Sequence, residues 1–251
     1  MWYNDFMIIT SKANTLIKQT KKLLQKKHRK DSYLIEGWHL FEEAQKSHQI
    51  FKHIFVVEHM ADRVSKYQSV VLVTDEVLKE LTDSPSPQGI VAEIALPDQK
   101  LPKHFQGSYL ILEDVQDPGN VGTMIRTADA AGFKGVFLSD KSADIYNQKT
   151  LRSMQGSHFH LPIWRTNLQD LCPLMQAEDI RLLVTTLSKD SVDYRELSRQ
   201  PNFALVMGNE GSGISEEMAT MADKLVHINM PGQAESLNVA VAAGILIFSL
   251  I

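Results

Sequence analysis

The feature that most narrows the fold is a segment order repeated after Gly107: an apolar run, a polar loop, then a stretch with helical spacing. Strand-like runs stand at 109–112, 135–138, 181–187, 203–207 and 225–228, and helical spacing begins at 121, 148, 168, 215 and 236. Strands alternating with helices predict a parallel sheet covered on both faces. In such sheets ligands bind beyond the carboxyl ends of the strands. Three glycine-bearing polar loops follow strands in this half, and the chemistry is expected there.

The first loop, DPGNVGTMIRTADAAG, starts at Asp117. Pro118-Gly119 sets a tight turn and Gly122 permits close backbone approach. It has neither the lysine nor the third glycine of a nucleotide-phosphate loop. Asn120 is read as a helix cap whose amide also reaches outward. Arg126 flanks the apolar stripe of Val121, Ile125 and Ala128, and its plainest role is a surface ion pair with Asp129 or Glu113. In the second loop, MGNEGSGIS, Gly208, Gly211 and Gly213 frame Asn209-Glu210. The chain contains no GxxxxGK[ST], and the glycine spacing is not that of a dinucleotide fold. Glu210 is therefore read as a site carboxylate, with Ser215 capping the next helix. The third loop, INMPGQAESLNVAVAAG, runs into a helix expected from Ser236, with Asn238 on its first turn. From Val239 that helix is apolar on nearly every side, so it must be buried in the core or against another subunit.

The preceding part mixes helix and strand signals over residues 1–95 and reads as a separate small α/β domain. A linker with two prolines follows over 96–107, and the second domain spans 108–251. Charge is divided unevenly: residues 1–105 carry 15 Lys+Arg against 13 Asp+Glu, and residues 106–251 carry 11 against 17. The stretch KQTKKLLQKKHRK holds Lys18, Lys21, Lys22, Lys26, Lys27, Arg29 and Lys30 without one acid. A solvated helix face explains such a run as readily as a patch that binds RNA phosphates by releasing counterions.

Other classes are disfavoured. The longest apolar run, Val239 to Phe248, is too short to span a bilayer, and no secretory signal is seen. A cytoplasmic protein without a membrane is the expectation. Cys172 is the one cysteine and lies in an apolar stretch, so it is expected to be an inert buried thiol. His158 and His160 would share one face of a strand, but no third ligand lies nearby, so no metal is expected.

Together the three loops resemble, in order and spacing, the motifs of the SpoU/TrmH-type RNA ribose 2′-O-methyltransferases of the SPOUT superfamily. The resemblance covers residues 109–250. Asn229 stands where a proline is usual and Ala240 where a serine is usual. More weakly, residues 8–95 resemble the ribosomal-protein-like RNA-binding domain that many of these enzymes carry. The resemblance implies a C-terminal trefoil knot, an exception to unknotted chains. It also implies S-adenosyl-L-methionine as cofactor and a homodimer formed through the C-terminal helix. Carried over residue by residue, it places cofactor contacts at Gly208, Ile228, Leu237, Met207, Met230 and Thr186. The catalytic positions fall on Arg126, Asn120, Glu210, Ser236 and Asn238, with Arg126 reaching towards the site of the other subunit. Arginine is a poor proton acceptor, so Arg126 is expected to clamp phosphate, leaving the base as Glu210 or a substrate phosphate.

The expected activity is methylation of a ribose 2′-hydroxyl in structured RNA, ribosomal RNA before transfer RNA. A catalytically silent RNA-binding protein and a small-molecule methyltransferase are the competing classes. The intact catalytic set speaks against the first, and the absence of a GxG after the first strand of the second half speaks against the other. The chain ends at Ile251 without a polar tail, which fits a trimmed terminus.

Overall fold

A computed structural model describes residues 8–251; residues 1–7 of the expected N-terminal domain lie outside the described residues. Two compact units divide the chain: one runs to Asp98 and takes in Tyr146–Phe159, and the other holds Gln99–Ile145 and His160–Ile251.

The first unit contains α1 (Thr15–Lys21), β1 (Ser32–Glu36), α2 (Trp38–Lys46), β2 (Phe51–Val57), β3 (Val70–Val73), α3 (Asp75–Leu78) and β4 (Ile90–Ala95). Its sheet order is β1-β4-β2-β3, with β4 antiparallel to both neighbours and β3 parallel to β2. Ile17, Leu34, Phe55, Val57, Leu78 and Val91 fill one face. The basic stretch is not a single helix. Asn14 caps α1 by accepting from Leu16 N at 2.9 Å, and α1 ends at Lys21. Two short 3-10 turns follow, Lys22–Leu24 and Lys26–His28, separated by extended Gln25.

The second unit contains β5 (Ser108–Leu112), α4 (Pro118–Ala130), β6 (Gly135–Leu138), β7 (Ile163–Arg165), α6 (Leu168–Gln176), β8 (Arg181–Thr185), β9 (Val192–Asp193), β10 (Phe203–Met207), α7 (Glu216–Met221), β11 (Lys224–His227) and α8 (Val239–Leu250). Helix α5 (Gln148–Met154) leaves this run and belongs to the first unit. There Gln148 Oε1 accepts from Thr82 Oγ1 at 3.1 Å and Asp83 N at 2.8 Å. The rings of Tyr146 and Tyr33 lie 4.5 Å apart, and His158 Nε2 meets the Tyr33 hydroxyl at 3.1 Å. The division expected from sequence, 1–95 and 108–251, contains no such excursion. Nor do His158 and His160 share a strand: His158 sits in a 3-10 turn and His160 faces Asp129 at 3.2 Å.

All seven strands of the second sheet are parallel, in the order β7-β6-β5-β10-β8-β11-β9. Fully buried side chains such as Ile111, Phe137, Leu182 and Val206 hold it, each contributing about 1.5–3 kcal/mol relative to exposure. Cys172 is fully buried in α6, and burial, helped by Glu113, pushes its thiol up to about 12. Strand order reverses between β5 and β10, and Leu112 pairs with Met207 at their carboxyl ends. The first and second loops therefore leave the sheet side by side. The third returns from β11, two strands away, into α8, which packs on α4. Helix α8 buries Ala240, Ala243, Leu246, Ile247 and Leu250. Its other side leaves Val241 53% and Phe248 55% exposed, with Ile245 between them at 36%. No helix among the described residues is long and apolar enough to cross a membrane.

Candidate active site

A hydrogen-bond chain ties the three loops together. Asp117, not Asn120, caps α4: its carboxylate accepts from Asn120 N at 2.9 Å, so the helix begins at Pro118. Asn120 then stands in the first turn with its side chain outward. Glu210 accepts from Gln116 N and Asp117 N, both at 3.0 Å, and from Asn120 Nδ2 at 3.1 Å. Asn120 Oδ1 accepts in turn from Asn238 Nδ2 at 3.0 Å. Asn238 Oδ1 accepts from Ala240 N at 2.9 Å and Val241 N at 3.2 Å. Backbone N–H groups can only donate, so they fix the oxygen of Asn238 and, through it, the orientation of both amides. Asn238 is thus the N-cap of α8 rather than a first-turn residue, and Ser236 precedes the helix.

Partial burial works against the charge of Glu210. The backbone donors of Gln116 and Asp117 and the Asn120 amide outweigh it and hold the carboxyl below its ordinary value. At neutral pH it is an ionised acceptor with its oxygens already engaged.

The second loop is built for close approach. Asn209 and Gly213 exchange backbone hydrogen bonds at 2.9 and 3.0 Å, and a Cβ on Gly208 would meet Gly213 C at 2.5 Å. Asn209 Oδ1 accepts from Gly211 N and Ser212 N, while its Nδ2 donates to Asp114 O at 2.8 Å. Glu113 accepts from Ser215 N at 2.9 Å and Ser215 Oγ at 2.7 Å. Glu113 and Asn209 were not singled out from the sequence. An asparagine two residues before a glycine is a turn signal that marks Asn209, but nothing local marks Glu113.

Arg126 stands apart. It is exposed on α4 and bonds no described residue. The ion pair expected with Asp129 or Glu113 does not form, since those acids face His160 and Ser215. Ser236 is likewise exposed.

Beside the chain lies a cavity of about 540 Å³ at the carboxyl ends of β8, β10 and β11. Met207, Gly208, Ile228, Leu237, Met230 and Thr186 all line it, as do Glu210 and Ser236, whereas Asn120, Arg126 and Asn238 do not. Its wall mixes apolar side chains such as Met207, Ile228 and Leu237 with polar ones such as Thr186 and Ser236, and includes no lysine or arginine. Such a wall offers apolar surface for a purine ring, small polar groups and backbone for ribose hydroxyls, and the Glu210 carboxylate beside a sulfonium cation. The residues present therefore fit S-adenosylmethionine. Among the described residues no group of three or more His, Cys, Asp or Glu side chains could hold a metal ion.

The basic stretch splits into free and engaged cations. Lys18, Lys22, Lys26, Lys27 and Lys30 are exposed. Lys21 is bound to Glu80 together with Lys12, and these two ammonium groups pull the Glu80 carboxyl down to about 2. Arg29 donates to Tyr146 O at 2.7 Å, so it is a structural tie within the first unit.

The SpoU rRNA Methylase family matches residues 107–248, and an MRM3-like substrate binding domain matches residues 14–92. The chain is 42% identical over 247 residues to the 23S rRNA (guanosine(2553)-2′-O)-methyltransferase RlmP of Bacillus subtilis, covering 96% of this chain and 98% of that one. Among solved structures, an AdoMet-bound rRNA methyltransferase from Sinorhizobium meliloti aligns with a TM-score of 0.87 at 34% identity, over 97% of this chain and 96% of the other. The SpoU methyltransferase AviRb of Streptomyces viridochromogenes, in complex with AdoMet, aligns at 0.85 and 26% identity, over 94% and 97%. The chain belongs to the SpoU rRNA methylase family.

Proposed function

We propose that the protein transfers a methyl group from S-adenosylmethionine to a ribose 2′-hydroxyl of ribosomal RNA, at a guanosine of 23S rRNA as its Bacillus subtilis relative is named for. The observation that carries this reading is the Glu210–Asn120–Asn238 chain standing beside a cavity without lysine or arginine. The cofactor supplies a methyl already activated by a positive sulfur. The protein's task is then to bind, align and desolvate.

Met207, Gly208, Thr186, Ile228, Met230 and Leu237 hold the cofactor. Asn120, Asn238 and Ser236 orient the ribose and the adjoining phosphate. Glu210 sets the Asn120 amide and anchors the first loop through the backbone amides of Gln116 and Asp117. A guanidinium keeps its proton up to pH ~12, so Arg126, which bonds no described residue, serves as phosphate clamp.

The N-terminal unit carries the RNA, through Lys18, Lys22, Lys26, Lys27 and Lys30. The exposed apolar side of α8 supports a homodimer with a self-complementary interface, in which Arg126 serves the partner's site. The return of the chain from β11 to α8 and α4 supports a trefoil knot, and a ribosomal RNA substrate supports a cytoplasmic location.

Mapping alkali-resistant linkages in rRNA from cells with and without the gene tests the proposal. One ribose methylation in 23S rRNA should be lost and restored by purified protein with S-adenosylmethionine. Loss of a base methyl, of a transfer-RNA methylation, or of nothing at all would overturn it.

A further inference from the structure

Behind the first loop lies an arginine whose donors are spent on backbone carbonyls. Arg165, the last residue of β7, donates from Nη1 to the carbonyls of Ser139, of Asp140 at 2.9 Å and of Ser142 at 3.0 Å. Its Nη2 donates to Ala143 O at 2.7 Å. The guanidinium is half-buried, and burial lowers its pKa although Asp140 and Asp144 oppose this. Four carbonyls of one short loop are therefore gathered onto a single rigid fork.

That loop in turn holds the first catalytic loop. Ala143 N donates to Val115 O at 2.8 Å, and Ser142 Oγ donates to Leu112 O at 3.0 Å. Ser139 Oγ accepts from Asp114 N at 2.8 Å and lies 2.7 Å from Asp114 Oδ1. Asp114 is held at φ 56°, a left-handed conformation that a non-glycine residue keeps only where its surroundings enforce it. Beyond Val115, the backbone amides of Gln116 and Asp117 are the ones that bind Glu210.

We propose that Arg165 is a positioning residue for methyl transfer: through the 139–143 loop it sets the backbone that orients Glu210, Asn120 and Asn238. This rests on the reading of those residues as the methylation site. Neither Arg165 nor any residue of 112–117 or 139–143 lines the cofactor cavity. Of the residues so oriented only Glu210 touches the cavity, so loss of the clamp should slow ribose methylation far more than it weakens cofactor binding. A misplacement of about 1 Å in aligned groups costs roughly a hundredfold in rate.

The test compares wild type, Arg165→Met and Arg165→Lys in three measurements. These are S-adenosylmethionine affinity by calorimetry, single-turnover methylation of rRNA, and hydrogen exchange of peptides covering 112–120 and 139–145. Expected for Arg165→Met are cofactor affinity within about twofold of wild type, a rate lowered at least about tenfold, and faster exchange confined to those two segments. Arg165→Lys, with fewer donors, should fall between. Ser139→Ala leaves the fork intact but frees Asp114, and it should reproduce the same split if Arg165→Met does not fold. An unchanged rate, or cofactor affinity and rate falling together with exchange faster throughout the sheet, would overturn the proposal. If wild type transfers no methyl to ribose, the site reading fails, and the exchange data still decide whether the clamp orders the first loop.

Discussion

The polar residues of the three loops and the cations of the basic stretch handle hydrogen-bonding capacity in opposite ways. Glu210, Asn120, Asn238 and Asn209 spend theirs on one another and on backbone amides. Lys18, Lys22, Lys26, Lys27 and Lys30 are left exposed, while Lys21 and Arg29 in the same run are consumed internally. A site that must align two reacting atoms needs side chains in one orientation, which fixed partners supply. A surface that gathers a polyanion needs charge that water can give up cheaply, which fixed partners would spoil. Residue type alone does not separate these cases; partnering does.

The sharpest way to break the contrast is Asn238→Asp. Aspartate is as good an N-cap as asparagine, so α8 should keep its start and thermal stability should move little. The second oxygen would now oppose Asn120 Oδ1 where an amide donated. Single-turnover rate should fall on the order of a hundredfold. A rate near wild type would mean that the amide chain is not needed for alignment.

A weaker recovery effect probes whether the chain and the free arginine belong to one subunit. Arg126→Ala and Asn238→Ala should each be inactive alone. Mixed with demonstrated subunit exchange, they should regain activity up to about a quarter of wild type. Random exchange makes about half the molecules mixed dimers, each with one intact composite site. No recovery would place Arg126 and Asn238 of one chain in the same site.

The smallest effect is expected on the basic side. Each of Lys18, Lys22, Lys26, Lys27 and Lys30 changed to glutamine should lower the salt slope of RNA binding by up to ~0.7–0.9. Lys21→Gln should change it less, because Glu80 already holds that ammonium. Filter binding across a salt series measures this. Equal slopes for all six variants would erase the distinction between free and engaged cations.

Five of the seven strands of the second sheet were legible as short apolar runs closed by a loop, and 135–138 and 203–207 coincide with β6 and β10; β7, which ends in Arg165, and the two-residue β9 carry no such run. Helix starts were read less well. Pro118 at the first helical position and Asn238 before an apolar run are both start signals, yet the glycine turn and Ser236 drew the boundaries elsewhere. The cavity residues came from resemblance, and the structure brings all six to one wall. What stayed hidden is long-range and polar. Arg165 reads as an ordinary strand-end cation, and Glu113 as an ordinary acid. Gln148 is buried only because Thr82 and Asp83, far back in the chain, satisfy its amide. Periodicity records which face is apolar, and it does not record which distant group completes a buried hydrogen bond.

The Tyr146–Phe159 excursion bears on how such enzymes can be taken apart. Neither unit is a continuous piece of chain, so no single cut in the gene releases one intact. A fragment ending at Asp98 would leave Tyr33 without the Tyr146 ring and the His158 contact, and Thr82 and Asp83 without Gln148. A fragment starting at Gln99 would carry α5 with nothing to bury Thr150 and Gln148. The first unit is therefore not a cassette that recombination can move by its own coding segment. A graft that preserves it has to bring residues 146–159 along, from inside the catalytic sequence.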